Sequence, residues 1–303
     1  MGGGEAGGLY LCDVRVTLTG QYPPPFKPPL AQQRQTAVAK LLHAANCDSV
    51  VELGCGDGAL IKHLLNPQPS VGVPRWVRRV VGVDVSARAL TSLTATLRCE
   101  LAAAEPAEPA EPAEPAFPHV TLLSASLATL ARPDAAAALA GCDAVVMVEV
   151  VEHLDPAPLA AIGPVVMGLL RPRLFVVSTP NQDYNAVLRG LMGRSSHFTE
   201  AGMRDCDHRF EWTQAEFQQW ADGLGDKYGY EVEYAGVGKA AGDEAGPMGA
   251  AVGYASQMAV FTRRGDDEGQ YEPAGVEPSA SAADDLLQVF DSRDVPLQQL
   301  NIA

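Results

Sequence analysis

The strongest constraint on what this 303-residue chain can fold into is the segment Val51-Glu52-Leu53-Gly54-Cys55-Gly56-Asp57-Gly58. A short apolar run, Ser49 to Leu53, is stopped by glycines at alternate positions, and a helical pattern resumes directly after them. Glycine adopts backbone angles closed to other residues and lets a ligand approach the main chain. The spacing therefore predicts a strand, a tight turn and a helix, with a ligand cradle at the carboxyl edge of a sheet. The same alternation recurs. Arg79 to Val83, Val120 to Leu123, Ala144 to Val148 and Leu174 to Val177 read as further buried strands, with Tyr230 to Tyr234 and Ala259 to Thr262 as a final pair. Gln32 to Ala45 has apolar residues at helical spacing after the stiff Pro23 to Pro29 segment, and Thr213 to Leu224 reads as a helix opened by a Thr213/Glu216 capping box. Short apolar strands alternating with helices predict an α/β fold with a mostly parallel, doubly wound sheet.

The formal charge of -15 matters only through its location. Residues 266 to 303 hold nine acids and one base, and the Glu-Pro-Ala repeat adds four more acids, so the rest of the chain carries a net charge of only -3 and RNA binding stays open. These shifts set the expected organisation: a flexible N-terminus over 1–21, one domain over 22–264, and an acidic, disordered tail over 265–303. Residues 102–116 form a low-complexity surface insertion within the domain. The apolar patch Leu286 to Phe290 in the tail reads as frayed chain rather than a docking segment. No apolar run reaches the roughly 18 residues that span a bilayer, so no membrane association is expected. The first residues lack a basic stretch leading into an apolar one, so the expected location is cytoplasmic or nuclear, not secreted. Six scattered cysteines without a C-x-x-C pair support neither a disulfide framework nor a zinc ribbon.

Three segments carry chemistry. Gly54, Gly56 and Ala59 satisfy a dinucleotide-binding pattern, so a nicotinamide site competes here with a plain strand-to-helix turn. Two carboxylates favour a different nucleotide. Glu52, two residues before the first glycine, can face a cationic group, and Asp84, ending the next strand, is placed to accept two ribose hydroxyls. That combination resembles the S-adenosyl-L-methionine site of class I methyltransferases. The second segment is Glu149-Val150-Val151-Glu152-His153-Leu154. On a helical turn, positions i, i+3 and i+4 share a face, so Glu149, Glu152 and His153 can converge, whereas the bland alternative is a solvated helix start. Oxygen and imidazole donors suit Mg²⁺ or Mn²⁺, the imidazole pulling the preference towards Mn²⁺, Co²⁺ or Fe²⁺. The third pairs Ser178-Thr179-Pro180-Asn181 with Asp207-His208-Arg209-Phe210-Glu211-Trp212, in which His208 can supply a fourth metal ligand.

These motifs, with Phe26-Lys27-Pro28-Pro29-Leu30, Gly82-Val83-Asp84-Val85 and Val252-Gly253-Tyr254-Ala255-Ser256-Gln257, occur in the order seen in the small-RNA 2′-O-methyltransferases founded by the plant Hua-enhancer protein, which the chain resembles over about residues 22 to 264. The resemblance implies the class I methyltransferase fold and methylation of the 2′-hydroxyl on the 3′-terminal nucleotide of a microRNA, small interfering RNA or PIWI-interacting RNA. It implies catalytic and metal-binding roles for Glu149, Glu152, His153 and His208 with Mg²⁺ or Mn²⁺. The S-adenosyl-L-methionine site then draws on Glu52, Gly54, Gly56, Gly58, Asp84 and, near the adenine, Ser126. Lys27, Arg34, Asn181 and Arg209 are the expected RNA contacts. An Argonaute or PIWI protein presenting the RNA 3′ end is the expected partner, since a weakly charged core alone gives modest RNA affinity. The competing activities are metal-dependent methylation of a small diol or catechol-like molecule, and an idle scaffold that recruits partners through Leu286 to Phe290.

Overall fold

The computed structural model describes residues 26–66, 76–103, 118–132, 135, 138–192, 198–239, 252–265 and 287–294. The flexible N-terminus expected over 1–21, most of the Glu-Pro-Ala insertion and the greater part of the acidic tail lie outside these residues.

Valine-rich segments alternate with helices as the periodicity predicts. In chain order the elements are α1 (Leu30–Ala44), β1 (Ser49–Leu53), α2 (Ala59–Leu65), β2 (Arg79–Asp84), α3 (Ala87–Ala103), β3 (His119–Ser124), α4 (Leu127–Leu130), β4 (Ala144–Val148), α5 (Pro156–Ile162, running on as a π-helix over Gly163–Leu170), β5 (Leu174–Pro180), α6 (Asn185–Met192), α7 (Gln214–Tyr228), β6 (Tyr230–Val237), β7 (Ser256–Arg263) and β8 (Leu287–Asp291). The capping box of α7 forms as expected: Thr213 Oγ1 accepts from Glu216 N at 3.3 Å, and Glu216 Oε2 accepts from Thr213 N at 2.9 Å.

The sheet order is β6-β7-β5-β4-β1-β2-β3-β8, with β5, β4, β1, β2 and β3 mutually parallel and β6, β7 and β8 antiparallel to their neighbours. The central strands are apolar on both faces because both are covered. Val50, Val80, Val120 and Val146 pack with Leu42 of α1, Ile61 of α2 and Leu93 of α3 on one side. On the other, Val51, Val81 and Val145 pack with Leu130 of α4, Val166 of the π-helical stretch and Phe217 of α7. From β1 the chain adds strands outward through β2 and β3, and from β4 it adds them in the opposite direction. The order therefore reverses between β1 and β4, and a doubly wound sheet opens its ligand crevice at the carboxyl ends of the strands flanking such a reversal.

One expectation is corrected. The tail does enter the fold at Leu287–Asp291, where β8 pairs antiparallel with β3. β3 would otherwise be a sheet edge with open backbone donors and acceptors, and such an edge accepts any short strand that can also bury a side chain. Phe290 supplies that side chain and is buried, and Asp291 is held by His119 Nε2 at 2.9 Å and by Arg293 at 2.6 Å. Among the described residues no helix is long and apolar enough to cross a membrane.

Candidate active site

A cleft of about 750 Å³ opens at this reversal, framed by the loop after β1, the ends of β2 and β3, and the segment after β4. Gly56 takes φ 51° and lines the cleft, and a side chain there would meet nothing within 4 Å, so the main chain is bare towards the cavity. Asp84 accepts from Gly56 N and from Ser86 N, each at 2.7 Å, which orients its carboxylate at the cleft wall with lone pairs to spare. Ser126 also lines the cleft while capping α4, its Oγ accepting from Thr129 N at 3.1 Å. Sequence reasoning missed Val85, an apolar side chain left 73% exposed beside these groups. An isolated valine after a strand carries no local signal of this kind.

Two expected cofactor residues stand elsewhere. Gly58 is absent from the cleft lining; at φ 72° it caps the start of α2, where a side chain would collide with Leu93 of α3, so its glycine serves packing. Glu52 is buried beneath the loop rather than facing the cavity, with Oε2 unpartnered among the described residues. Burial, followed by the charges of Asp57 and Asp84, pushes its carboxyl up to about 8, against a lowering hydrogen bond from the Ile61 backbone. The folded chain thus keeps a proton there that the unfolded chain releases near pH 4.5. The stability this proton provides is full below pH 4.5 and is lost as pH rises through about 8. Glu52→Gln is accordingly expected to gain on the wild type by a few kcal/mol, on the order of the linkage limit, between pH 5 and pH 8.5. Urea midpoints of both proteins at those two pH values check this; parallel curves would refute it.

The ends of β4 and β5 form the acidic corner of the cleft. The helical turn expected from Glu149 to His153 is not formed: Glu149 takes the left-handed φ of 54°, and only Val151–His153 forms a 3₁₀ turn. This break directs the two glutamates to different partners. Glu149 Oε1 accepts from Ser178 Oγ at 2.9 Å and Ser256 Oγ at 2.7 Å, while Arg34 Nη1 lies 3.3 Å from Oε2. Glu152 is fully buried, its Oε2 accepting from Thr179 Oγ1 at 3.0 Å and its Oε1 without a partner among the described residues. Burial, then the neighbouring Glu149 charge, raises the Glu152 carboxyl well above the usual range.

Ligand atoms of Glu152, His153 and His208 all lie within 4.8 Å of one another, and the two imidazoles meet edge to face with centroids 4.9 Å apart. The expected four-ligand set is thus represented by three convergent groups, with the Glu149 carboxylate alongside but committed to Ser178, Ser256 and Arg34. An orphaned, desolvated carboxylate oxygen facing two imidazoles is a donor set that suits a divalent cation. Behind it, His208 Nδ1 lies 2.7 Å from Glu211 Oε1, and His153 Nδ1 lies 3.3 Å from Asp207 Oδ2.

The expected RNA contacts divide. Lys27 is exposed ahead of α1, and Arg209 is exposed at the cleft, 3.3 Å from Asp155. Arg34 is occupied by Glu149. Asn181 is buried and donates to the Val252 and Tyr254 carbonyls at 2.9 and 3.0 Å while accepting from Asp183 N at 3.0 Å, so its amide ties β5 to the segment before β7. Thr179, Ser178, Ser256 and Glu211 were not singled out as site residues. All four sit inside the motifs quoted above, but nothing in the spacing tells which oxygen each would serve.

Residues 29–234 match the family model described as a methyltransferase domain. The chain is 36% identical over 242 residues to the small RNA 2′-O-methyltransferase of Mus musculus, covering 79% of this chain and 52% of that protein. To the small RNA 2′-O-methyltransferase of Arabidopsis thaliana it is 28% identical over 258 residues, 84% of this chain and 24% of that one. The chain therefore spans about half the length of the mouse relative and about a quarter of the plant one. Among solved structures, the methyltransferase domain of bacterial CtHen1 is similar with a TM-score of 0.56 and 31% identity, over 77% of this chain and 99% of that domain. The small RNA methyltransferase HEN1 is similar with a TM-score of 0.62 and 28% identity, over 88% of this chain and 27% of that one.

Proposed function

The chain belongs to the small RNA 2′-O-methyltransferase family, with its class I methyltransferase fold, and from that premise we propose that it transfers a methyl group from S-adenosyl-L-methionine to the 2′-hydroxyl of the 3′-terminal nucleotide of a small RNA. The observation that carries the reading is the meeting of Glu152, His153 and His208 at the rim of the cleft framed by Gly54, Gly56 and Asp84.

In this reading Asp84, oriented by its two backbone donors, accepts the ribose hydroxyls of the methyl donor, the bare backbone at Gly56 lets the donor approach, and Val85 with Ser126 borders its adenine. When bound, the donor would supply a sulfonium methyl to a ribose oxygen aligned behind it, the C–O bond forming as the C–S bond breaks, with S-adenosylhomocysteine leaving and the hydroxyl proton passing to water. Glu152, His153 and His208, with Glu149 beside them, would hold a Mg²⁺ or Mn²⁺ ion, whose Lewis acidity would make a ribose hydroxyl beside it a better nucleophile. The protein's contribution is mainly alignment, since holding the ribose against the methyl donor removes most of the entropy of encounter. Arg34 and the two serines restrain the Glu149 carboxylate at the corner where the terminal ribose would sit, and exposed Arg209 and Lys27 are available to phosphates. An Argonaute or PIWI protein that presents the 3′ end compensates for the weakly charged core.

The test is transfer of labelled methyl to a synthetic RNA of small-RNA length ending in 2′,3′-diol, 2′-deoxy or 3′-deoxy ribose, with Mn²⁺, Mg²⁺ or chelator. Metal-dependent transfer to the diol alone is expected. Transfer to a catechol but to no RNA, naked or Argonaute-loaded, would replace the reading with small-diol methylation.

A further inference from the structure

We propose that Glu211 is the positioning residue that fixes which nitrogen of His208 faces the cation. The inference rests on the reading of His208 as a metal ligand. Glu211 is fully buried and His208 nearly so, with side-chain exposures of 0% and 8%. The Glu211 carboxylate receives three donors: His208 Nδ1 at 2.7 Å and Arg204 N at 2.6 Å on Oε1, and Asn185 Nδ2 at 2.6 Å on Oε2. An ionised carboxylate only accepts, so the proton of a neutral His208 ring must reside on Nδ1, leaving the Nε2 lone pair as the one that can serve a cation held with Glu152 and His153.

The carboxylate is itself anchored from several directions. The Arg204 guanidinium donates to Asn185 Oδ1, to the Ala255 carbonyl and to the Asn181 carbonyl at 2.6, 2.7 and 2.6 Å, which ties the loop to the ends of β5 and β7. The next residue, Trp212, pairs with Asn181 in an isolated bridge, and its carbonyl accepts from Gln182 N at 3.0 Å. His208 lies in a loop, and a loop imidazole swings freely unless its second nitrogen is held. Carboxylates in this position orient ligand imidazoles and raise their basicity, and their loss typically weakens metal affinity by about 10- to 100-fold.

Glu211→Gln separates charge and geometry from bulk. Its single carbonyl oxygen cannot accept from both sides of the network. With its NH₂ on the His208 side it also faces the Arg204 N–H, and Nδ1 must become an acceptor, moving the proton to Nε2 where it blocks the metal-facing lone pair; with the carbonyl there, the NH₂ meets the Asn185 Nδ2 donor and the charge behind His208 is still lost. The experiment titrates Mn²⁺ alone into the wild type, His208→Ala and Glu211→Gln, with S-adenosylhomocysteine affinity as the measure of an intact fold. It also reads the His208 tautomer by ¹⁵N NMR in the metal-free wild type and in Glu211→Gln at pH 8.5. Expected are an Nδ1–H tautomer in the wild type, a shift towards Nε2–H in the variant, and Mn²⁺ binding weakened about 10- to 100-fold at nearly unchanged S-adenosylhomocysteine affinity. Equal Mn²⁺ affinity in Glu211→Gln and wild type would overturn the positioning role. Absent Mn²⁺ binding in the wild type, or wild-type affinity in His208→Ala, would instead overturn the metal reading of His208 on which it rests. Should Glu211→Gln lose S-adenosylhomocysteine binding, the wild-type tautomer decides: Nδ1–H supports the role and Nε2–H rejects it.

Discussion

Glu152→Gln is expected to lower methyl transfer about 1,000-fold or more while making the metal-free protein more stable. The two effects share one cause. Glu152 is fully buried with Oε1 unpartnered, and burial together with the Glu149 charge raises its carboxyl well above the usual range. Without a cation the native state is penalised for the ionised group. A raised folded value means that stability is full below the ordinary carboxylate range and is lost as pH rises, so the variant's advantage grows from pH 5 to pH 8. Relief of one unsatisfied buried group is worth about 1–3 kcal/mol. With a cation bound the sign would invert, because the charge that destabilises the metal-free protein would then be the charge that holds the metal. Losing several kcal/mol of metal-assisted stabilisation corresponds to about three decades in rate. Methyl transfer in Mn²⁺ and urea midpoints in chelator at pH 8 measure both effects. Activity within tenfold of wild type would remove Glu152 from the metal site, and a destabilised variant would make it a structural residue held by Thr179.

Asp84→Ala is expected to weaken S-adenosylhomocysteine binding by about 100- to 1,000-fold, the loss of one or two charge-assisted hydrogen bonds of about 1.5–3 kcal/mol each. The same carboxylate also organises the loop, since its oxygens accept from Gly56 N and Ser86 N. Asp84→Asn keeps one acceptor and is expected to fall between the two proteins. Because the donor's ribose lies away from the reacting methyl, the KM for S-adenosyl-L-methionine rises while kcat at saturation changes far less. Calorimetric titration with S-adenosylhomocysteine checks the affinity. A tenfold or smaller loss in Asp84→Ala would remove the carboxylate from the donor site.

The residues behind these predictions differ in how far the chain announces them. Ser49–Leu53 and Ala144–Val148 form strands at the predicted boundaries, and the Thr213/Glu216 box opens α7, because strand and cap propensities act over a few residues and need no distant partner. Asp84 falls at the cleft wall for a related reason: it ends the strand that follows the glycine loop and pairs parallel with the strand before it, so both lie at the carboxyl edge of the sheet. Gly56 and Gly58 look identical in the sequence, yet one faces an open cleft and the other lies against Leu93, a distinction made by where α3 crosses.

The chain's order of motifs determined the doubly wound sheet, the position of its crevice and the identity of the ionisable residues along it, since each follows from short-range periodicity and from which strand precedes which helix. Tertiary structure alone decided what those residues do to one another. It brought His208 to Glu152 and His153, set Glu211 behind it, engaged Glu149 with Ser178, Ser256 and Arg34, spent the Asn181 amide on backbone carbonyls, and recruited Leu287–Asp291 to the open edge of β3. Hydrogen bonds and desolvation reach only a few ångströms, so their partners are chosen by the packing of segments far apart in sequence.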